Sequence, residues 1–237
     1  MDFPMRLNKY LAHAGYATRR SADALIEAGR VFVNGKKAVL GQKVDASDRV
    51  ELKGHDTSHF RYLLYYKPRG VITHSPGENE EDIGTRIQKD HGVSGLFPVG
   101  RLDKDSEGLI LLTNDGRVTE RLLSPTIGHE REYEVTVDKR VTQTFVNALR
   151  NGVDIEGYRT KPAKAERLEG NENAFSITLT EGKKHQVRRM CAALGYQVRN
   201  LKRTRLHGFT LKRLKPGAFY ELKGSEVAAF ARELGLH

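Results

Sequence analysis

The sequence predicts an α+β protein with two domains of unequal size. Near the N-terminus, apolar residues recur at helical spacing: Leu7, Tyr10, Leu11 and Ala14. From residue 60 onward, short apolar runs bounded by Gly, Pro and Asn alternate with helical patterns, which predicts strands and helices in one larger unit. A polar stretch lies between the two regions. We therefore expect a small domain at residues 5–52, a linker at 53–59 that permits relative motion, and a larger domain at 60–237.

The small domain is predicted to contain two helices and a small sheet. The second helix has a cap at Thr18 and a stop at Gly29. Asn34-Gly35 between two short apolar runs is a strong hairpin signal, and Val44, Val50 and Leu52 can complete the sheet. Basic residues are spread over this domain: Arg6, Lys9, Arg19, Arg20 and Lys36. They form either an ordinary charged surface or a surface that holds RNA.

The first half of the large domain is predicted to consist mostly of strands. Residues 61–66 form one strand, and Lys67-Pro68-Arg69-Gly70 is a turn set by its Pro and Gly. Residues 74–82 form a polar loop. Two further apolar runs, 96–99 and 109–113, are predicted as buried strands, and an acidic loop joins them.

This acidic loop allows three interpretations. Its acids, Asp103, Asp105 and Glu107, can form a solvated turn. They also match the first ligand positions of a calcium-binding EF-hand loop, but Asn114 stands where a bidentate Glu is needed and the flanks are strands, not helices. The third interpretation is a catalytic aspartate, Asp103, held in fixed geometry by the flanking strands, with Arg101 beside it to meet RNA.

The second half of the large domain adds further strands and helices. Helices are predicted at 117–123 and 141–150, and alternation predicts a strand with Tyr133 on its apolar side. After another strand, an apolar face starting at Val187 predicts a helix. On a helical wheel Arg188 flanks this face and can reach a buried carboxylate, whereas Arg189 lies nearly opposite. Tyr133 is either a core tyrosine or a ring that can stack on a base.

The distribution of charge indicates a polyanionic partner. The chain has 40 Lys and Arg against 30 Asp and Glu, a formal net charge of +10, and residues 181–215 alone carry an excess of +10. Such concentration favours a nucleic-acid groove over a solvated face. Gly and Pro interrupt the segment, which argues against a membrane partner. The candidate RNA-binding residues here are Lys183, Lys184, His185, Arg189, Lys202, Arg203 and Arg205.

The single cysteine, Cys191, excludes an internal disulfide framework and fits a reducing compartment. The N-terminus has no apolar signal core, and no run approaches the length that spans a membrane. We expect a cytoplasmic protein.

Four ordered motifs resemble those of the RNA pseudouridine synthases that act on ribosomal RNA. They are Tyr66-Lys67-Pro68-Arg69-Gly70, the Gly100-Arg101-Leu102-Asp103 run with Gly108-Leu109-Ile110, His129-Glu130-Arg131-Glu132-Tyr133, and His185-Gln186-Val187-Arg188. Residues 5–52 are similar to the alpha-L, or S4, RNA-binding domain. Within the family, the sequence most resembles the F-type enzymes, which modify large-subunit RNA; the A-type enzymes, which modify small-subunit RNA, come second. It lacks the long basic tail of some F-type members.

The resemblance implies a mixed, largely antiparallel sheet with helices and a central cleft. It also implies that Asp103 is essential, that Tyr133 lines the active site and that Arg188 pairs with Asp103. The expected partner is ribosomal RNA, most simply a structured stem-loop of large-subunit RNA, bound by a monomer. The target base would be flipped out, and Arg101 would hold it out of the stack. No cofactor and no metal are expected, because isomerisation needs no redox change and no external group.

Other functions remain open on the residues alone. They are a synthase for small-subunit ribosomal RNA or tRNA, a non-catalytic ribosome-assembly factor, and a metal-dependent nuclease. The assembly factor would not need Asp103, Tyr133 and Arg188 together. The nuclease would need clustered acids around a metal, which only the loop at Asp103 offers.

Overall fold

The computed structural model describes residues 3–14, 16–17, 19–53, 60–74, 80–123, 128–211 and 214–236. Within these ranges the side chains of His13, Arg19, Arg20, Ser21 and Glu120 are not described. The predicted cap at Thr18 and nearly all of the predicted linker therefore lie outside the described residues, and the linker's motion stays a prediction.

The N-terminal domain contains the two predicted helices and the hairpin. Its elements, in chain order, are β1 (Met5–Arg6), α1 (Leu7–His13), α2 (Arg19–Glu27), β2 (Val31–Val33), β3 (Lys36–Lys37), β4 (Lys43–Val44) and β5 (Val50–Leu52). Strands β3, β2 and β5 form one antiparallel sheet. Val44 instead belongs to a separate pair, because β4 lies against β1 with Val44 opposite Met5. The helices and strands share one apolar core that includes Leu7, Leu11, Ala22 and Val31.

The second domain starts with strands that bracket the acidic loop. Its elements up to residue 155 are β6 (Tyr62–Lys67), α3 (Ile83–His91), β7 (Phe97–Val99), β8 (Glu107–Thr113), α4 (Arg117–Leu123), β9 (Arg131–Val137), α5 (Gln143–Arg150) and β10 (Asp154–Ile155). The remaining elements are β11 (Tyr158–Arg159), β12 (Lys164–Arg167), β13 (Ala174–Leu179), α6 (Gln186–Ala193), β14 (Val198–Leu206), β15 (Phe209–Thr210), β16 (Phe219–Glu221) and α7 (Ser225–Glu233).

Nine of these strands form one mixed sheet. Its main path is β12-β13-β9-β14-β8-β6-β16, while β7 pairs with β8 and β15 pairs with β14. All pairings are antiparallel except that of β14 with β8, which is parallel. The expected mixed, largely antiparallel sheet is thus confirmed, and the parallel pairing lies at its centre.

Apolar cores cover both faces of the central strands. In β8, Leu109 and Leu111 face one core while Ile110 and Leu112 face another, which explains the unbroken apolar run in the sequence. Farther along the sheet, β9 and β13 pack on α5 and α6 in a third core. Tyr133 is half-buried and packs against two of these cores. Tyr133 therefore lies between these two apolar cores.

Several elements of the second domain were not predicted from the sequence, among them α3, β14, α7 and the short strands β10, β11, β12, β15 and β16. Helix α3 follows the polar loop and is capped by Asp82, whose carboxylate accepts the amide hydrogen of Thr85. Strand β14 runs through the middle of the basic segment, and α7 closes the chain. Among the described residues, no helix has the length and apolar character that crossing a bilayer requires.

Candidate active site

Two paired strands hold the acidic loop at both ends. Strand β7 lies antiparallel to β8, with Val99 opposite Leu111, so the loop between them leaves and re-enters the sheet. Within the loop, the amide of Ser106 donates to the carbonyl of Asp103 at 3.0 Å. The Asp103 side chain is 35% exposed. Its carboxylate is therefore fixed at its base yet open to a ligand.

Two side chains approach Asp103, that of Arg188 on α6 and that of His185, the residue directly before α6. Arg188 Nε lies 3.7 Å from one carboxylate oxygen, and His185 Nε2 lies 3.4 Å from the other. Arg188 also donates to the hydroxyl of Ser106 at 3.2 Å and to the carbonyl of Asp105 at 3.3 Å. The expected proximity of Arg188 and Asp103 is present. Arg188 also binds the loop backbone, which fixes the direction from which it meets the carboxylate.

The turn after β6 clamps the acidic loop from the opposite side. Thr73 donates its hydroxyl hydrogen to the carbonyl of Leu102 at 2.5 Å and accepts the amide hydrogen of Leu102 at 3.0 Å. The amide of Gly70 donates to the carbonyl of Lys104 at 2.8 Å. Both residues neighbouring Asp103 are thus tied to this turn.

Lys67 is a functional candidate that sequence reasoning missed. Its side chain is fully buried, and Nζ donates to the carbonyls of Pro68, Val71 and Lys104 at 3.0, 2.6 and 3.4 Å. Burial lowers its pKa to about 8, although the nearby carboxylates, first among them Asp103, act to raise it. The turn motif alone indicated only a structural Pro and Gly. The signal that could have revealed Lys67 is its position at the end of an otherwise apolar buried strand, directly after residues 62–66.

Tyr133 and Arg203 lie side by side at the back of a cleft above Asp103. They are register partners on β9 and β14. The cleft has a volume of about 490 Å³, and its walls include Arg101, Asp103, Tyr133 and His185. This volume is in the range typical of small-ligand sites. An aromatic ring and a carboxylate therefore face one space of small-ligand size.

Arg203 was predicted from the sequence to bind RNA, but its side chain is almost fully buried. The residue is 3% exposed, and its Nε donates to the carbonyl of Leu109 at 2.6 Å. Burial lowers the pKa of its guanidinium, while the charge and hydrogen bond of Tyr133 raise it and Arg131 lowers it further. Arg203 thus supports Tyr133 from inside the sheet.

Lys202, Arg205 and Arg189 also differ from free phosphate ligands. Lys202 pairs with Glu134 at 3.0 Å, and Arg205 pairs with Glu130 and Glu132 at 3.0 and 3.1 Å. These acids belong to β9 or the residue before it and already neutralise the two cations. Arg189 pairs with Glu156 at 2.8 Å and donates to the carbonyl of Ile155 at 3.1 Å. Much of the positive excess in the basic segment is therefore compensated across the sheet.

The cleft wall carries other cations. Arg101, Lys183 and Lys184, for which RNA binding is predicted, are exposed and line the cleft, and Lys183 Nζ lies over the ring of Tyr158 at 4.3 Å. Arg131 also lines the cleft, and sequence reasoning missed it. In the described part of the chain, Arg101, Arg131 and Lys184 form no salt bridge with an acid. The alternation of β9 could have indicated Arg131, because it lies two residues before Tyr133 on the same strand face.

The predicted RNA-binding residues of the N-terminal domain are only partly visible. Arg6 and Lys36 are exposed, and Lys9 is half-buried. The side chains of Arg19 and Arg20 lie outside the described part of the structure. An RNA-docking role for these residues stays a prediction.

The geometry does not support the calcium interpretation. The Glu107 carboxylate accepts hydrogen bonds from Tyr66 at 2.7 Å and Asn200 at 2.9 Å, away from Asp103. Asn114, at the twelfth loop position, accepts the amide hydrogen of Arg61 at 2.8 Å. No group of three or more His, Cys, Asp or Glu in the described ranges could hold a metal ion.

Known proteins resemble this chain over almost its whole length. The RNA pseudouridylate synthase family matches residues 61–193, and the S4 domain matches residues 5–50. The dual-specificity RNA pseudouridine synthase RluF of Escherichia coli (strain K12) is 37% identical over 231 residues, covering 95% of this chain and 78% of that protein. The ribosomal large subunit pseudouridine synthase B of Bacillus subtilis (strain 168) is 38% identical over 232 residues, covering 94% and 93%.

A solved structure supports the same conclusion. The crystal structure of a pseudouridylate synthase matches with a TM-score of 0.69 and 31% identity, covering 94% of this chain and 98% of that one. The four motifs that carried the resemblance in the sequence surround or support the cleft at Asp103. The chain belongs to the RNA pseudouridine synthase family and carries an S4 domain at its N-terminal end.

Proposed function

We propose that this protein converts a specific uridine of ribosomal RNA, most simply large-subunit RNA, into pseudouridine. The observation that carries the proposal is the Asp103 carboxylate, which lies between His185 and Arg188 at the cleft that Tyr133 lines. The relative from B. subtilis, which is named for the large ribosomal subunit, supports this choice of RNA.

The chemistry needs only groups that the cleft supplies. The bond between the sugar C1′ and uracil N1 breaks, the uracil turns, and a bond forms between C1′ and C5. The proton on C5 is removed and N1 ends protonated, so no atom is gained or lost. Asp103 either attacks the sugar or the ring, or removes a sugar proton. Arg188 orients the carboxylate, and Tyr133 stacks on the uracil and relays a proton.

RNA binding divides between the two domains. The S4 domain docks structured RNA through its phosphates and shape. At the cleft, Arg131 and Lys184 contact phosphates of the strand that carries the target, and Arg101 enters the helix to hold the base out of its stack. We propose a monomer that works in the cytoplasm, where ribosomal RNA is available, and that requires neither a cofactor nor a metal.

The test uses two neighbouring acids of the same loop. The Asp103 side chain meets His185 and Arg188, whereas the exposed Asp105 contributes its backbone carbonyl to Arg188. Purified wild type, Asp103→Asn and Asp105→Asn would be incubated with large-subunit RNA, small-subunit RNA and tRNA, with excess chelator. Pseudouridine would then be mapped in each RNA.

We expect Asp103→Asn to lose turnover and keep RNA affinity within about a few-fold, because Asn keeps the shape of Asp without its charge. Asp105→Asn should retain activity. Turnover by Asp103→Asn near the wild-type level would refute the assignment of Asp103. Modification of small-subunit RNA or tRNA alone would redirect the substrate, and strand cleavage would indicate a nuclease. RNA binding without conversion would favour an assembly factor.

A further inference from the structure

His185 has a backbone conformation that L-amino acids seldom adopt. Its φ and ψ are 53° and 29°, in the left-handed region, directly before α6. For a residue other than glycine this conformation is unfavourable and is maintained only where its surroundings impose it. Here the amide of Gln186 donates to the carbonyl of Lys183 at 3.1 Å, and the amide of Arg189 donates to the carbonyl of His185 at 2.9 Å. These bonds fix the tight turn into the helix.

The side chain that this turn presents does not cap the helix. His185 makes no capping hydrogen bond with α6, although it occupies the cap position. Its Nε2 lies instead 3.4 Å from Asp103 Oδ1, and the imidazole lines the cleft. Polar or small caps such as Ser, Asp or Asn would stabilise the helix start better than His. The residue type and its strained conformation therefore fit a contact with the carboxylate and not a helix cap.

His185 and Arg188 approach different oxygens of Asp103. Arg188 Nε lies 3.7 Å from Oδ2, on the side opposite the contact with His185. Arg188 alone leaves the carboxylate free to rotate about its χ2 bond, a torsion with a broad energy profile. A second donor on the other oxygen fixes that rotation. The separations are longer than optimal hydrogen bonds, as is common at unliganded sites that tighten with substrate.

We propose that His185 is a positioning residue that sets the orientation of the Asp103 carboxylate, rather than a ligand of RNA phosphate. The inference rests on the proposed function, since it gives His185 a role in the turnover that Asp103 performs. It assigns phosphate binding to Lys184 and Arg131 and carboxylate alignment to His185 and Arg188.

The chain offers a matched control in His207. This histidine also has a φ of 53°, and its Nε2 contacts a carboxylate, that of Glu233 at 3.0 Å, outside the cleft. His185→Asn keeps a residue type that tolerates the left-handed conformation but shortens the side chain. His185→Gln restores a longer amide donor. His207→Asn makes the same replacement in the same backbone conformation without touching the cleft.

The measurements are kcat at saturating RNA, Kd, and the dependence of Kd on salt. We expect His185→Asn to lower kcat by about 10- to 100-fold, because small misalignments of a reacting group have effects of this size. Its Kd should stay within about twofold of wild type, with an unchanged salt dependence. His185→Gln should regain part of kcat, and His207→Asn should match wild type in all three.

Two results would overturn the inference. In one, His185→Asn keeps the wild-type kcat. In the other, its Kd rises and the salt dependence flattens, which makes His185 a phosphate ligand. If His185→Asn does not fold, as judged by thermal unfolding, the same criteria apply to His185→Gln and a fully active Gln variant counts against the proposal. An inactive wild type, or an active Asp103→Asn, would refute the proposed function itself, so the two failures are distinguishable.

Discussion

Gly108 on β8 lies directly against the backbone of Arg203 on β14. A Cβ at Gly108 would be 2.3 Å from the carbonyl oxygen of Arg203, and the φ of Gly108 is +110°. This contact lies in the parallel pairing of β8 with β14 at the centre of the sheet. The close approach brings the acidic loop, which ends at β8, beside the strand whose Arg203 supports Tyr133. A glycine five residues after Asp103 thus helps to bring Asp103 and Tyr133 to one cleft.

We predict that Gly108→Ala destabilises the protein strongly. The added Cβ would meet backbone that cannot rotate away, and the positive φ disfavours any side chain, so a loss of about 2–4 kcal/mol is expected. Gly84→Ala is the matched control, because Gly84 lies in α3 at an ordinary φ with its nearest contact at 3.6 Å. It should change stability by no more than about 1 kcal/mol. Urea unfolding of both variants measures the difference, and equal stabilities would mean that β8 and β14 are not in close contact.

Much of the fold could be predicted because local patterns matched the final environment. The apolar run at 109–113 is buried on both faces, and the Asn34-Gly35 turn connects β2 and β3 as expected. Helix α3 was missed because its buried residues, Ile83 and Ile87, are only two apolar positions in a polar stretch.

The candidate site was only partly predictable for a different reason. Local patterns predicted only an acid between two strands and an Arg beside an apolar helix face, whereas the family resemblance implied that Asp103 and Arg188 meet. Which cations are free depends instead on cross-strand pairs such as Lys202 with Glu134, and the register of β9 against β14 sets these pairs. Their positions are 68 residues apart in the chain, and local periodicity contains no information about such pairs.

Because of Lys67, the free energy of unfolding should rise with pH in the alkaline range. Its pKa is about 8 in the folded protein, and an unfolded lysine titrates near about 10.4. Between these values the folded chain binds fewer protons than the unfolded chain, so this group makes stability rise with pH. Relative to Lys67→Met, wild type should gain up to about 1.4 kcal/mol per pH unit in this window, with no change below it.

Urea unfolding of wild type and Lys67→Met between neutral and alkaline pH measures this difference. Lys104→Met is the control, because Lys104 is on the same loop but exposed, and Glu80 pairs with it at 2.9 Å. That variant should show a pH dependence close to that of wild type in the same window. A constant difference between wild type and Lys67→Met across the alkaline range would show that Lys67 keeps its proton there.

Arg188 and Arg189 are adjacent in sequence, yet substituting Arg188 should affect catalysis whereas substituting Arg189 should affect stability. Arg188→Ala removes the contacts with Asp103 and Ser106, so we expect kcat to fall by about 100-fold or more with little change in RNA affinity. Arg188→Lys should recover only part of kcat, because an ammonium cannot reproduce the forked guanidinium geometry. Arg189→Ala removes the contacts with Glu156 and Ile155 and should reduce stability by about 1 kcal/mol while kcat persists. Single-turnover kinetics and unfolding curves measure the two effects. Loss of kcat in Arg189→Ala with full activity in Arg188→Ala would mean that Arg189, not Arg188, acts on Asp103.

Deleting residues 1–52 should leave a folded second domain that binds structured ribosomal RNA more weakly. The N-terminal domain has its own apolar core, distinct from the three cores of the second domain. The two domains touch where Gly116 meets the backbone carbonyl of Ala12. Circular dichroism and RNA-binding titrations test both expectations. Wild-type affinity and turnover in the truncated protein would remove the docking role from the S4 domain.

The cations of the cleft and those of the sheet should differ in their contribution to RNA binding. Arg131 and Lys184 line the cleft without a salt bridge to any described acid, whereas Lys202 and Arg205 are paired with glutamates. A cation that neutralises a phosphate of single-stranded RNA releases counterions, which contributes about −0.7 to the slope of log affinity against log salt. We therefore expect Arg131→Ala combined with Lys184→Ala to flatten the slope by about 1.4.

Lys202→Ala combined with Arg205→Ala removes the same formal charge and serves as the control. Because glutamates compensate these two cations, their removal should flatten the slope by less than half as much. It can still weaken binding slightly, since the glutamates then repel RNA. Fluorescence anisotropy with one labelled stem-loop over a series of salt concentrations measures both slopes. Equal flattening would mean that net charge alone determines affinity, whereas flattening only in the Lys202 and Arg205 variant would place the RNA on the opposite face of β9 and β14 from Tyr133.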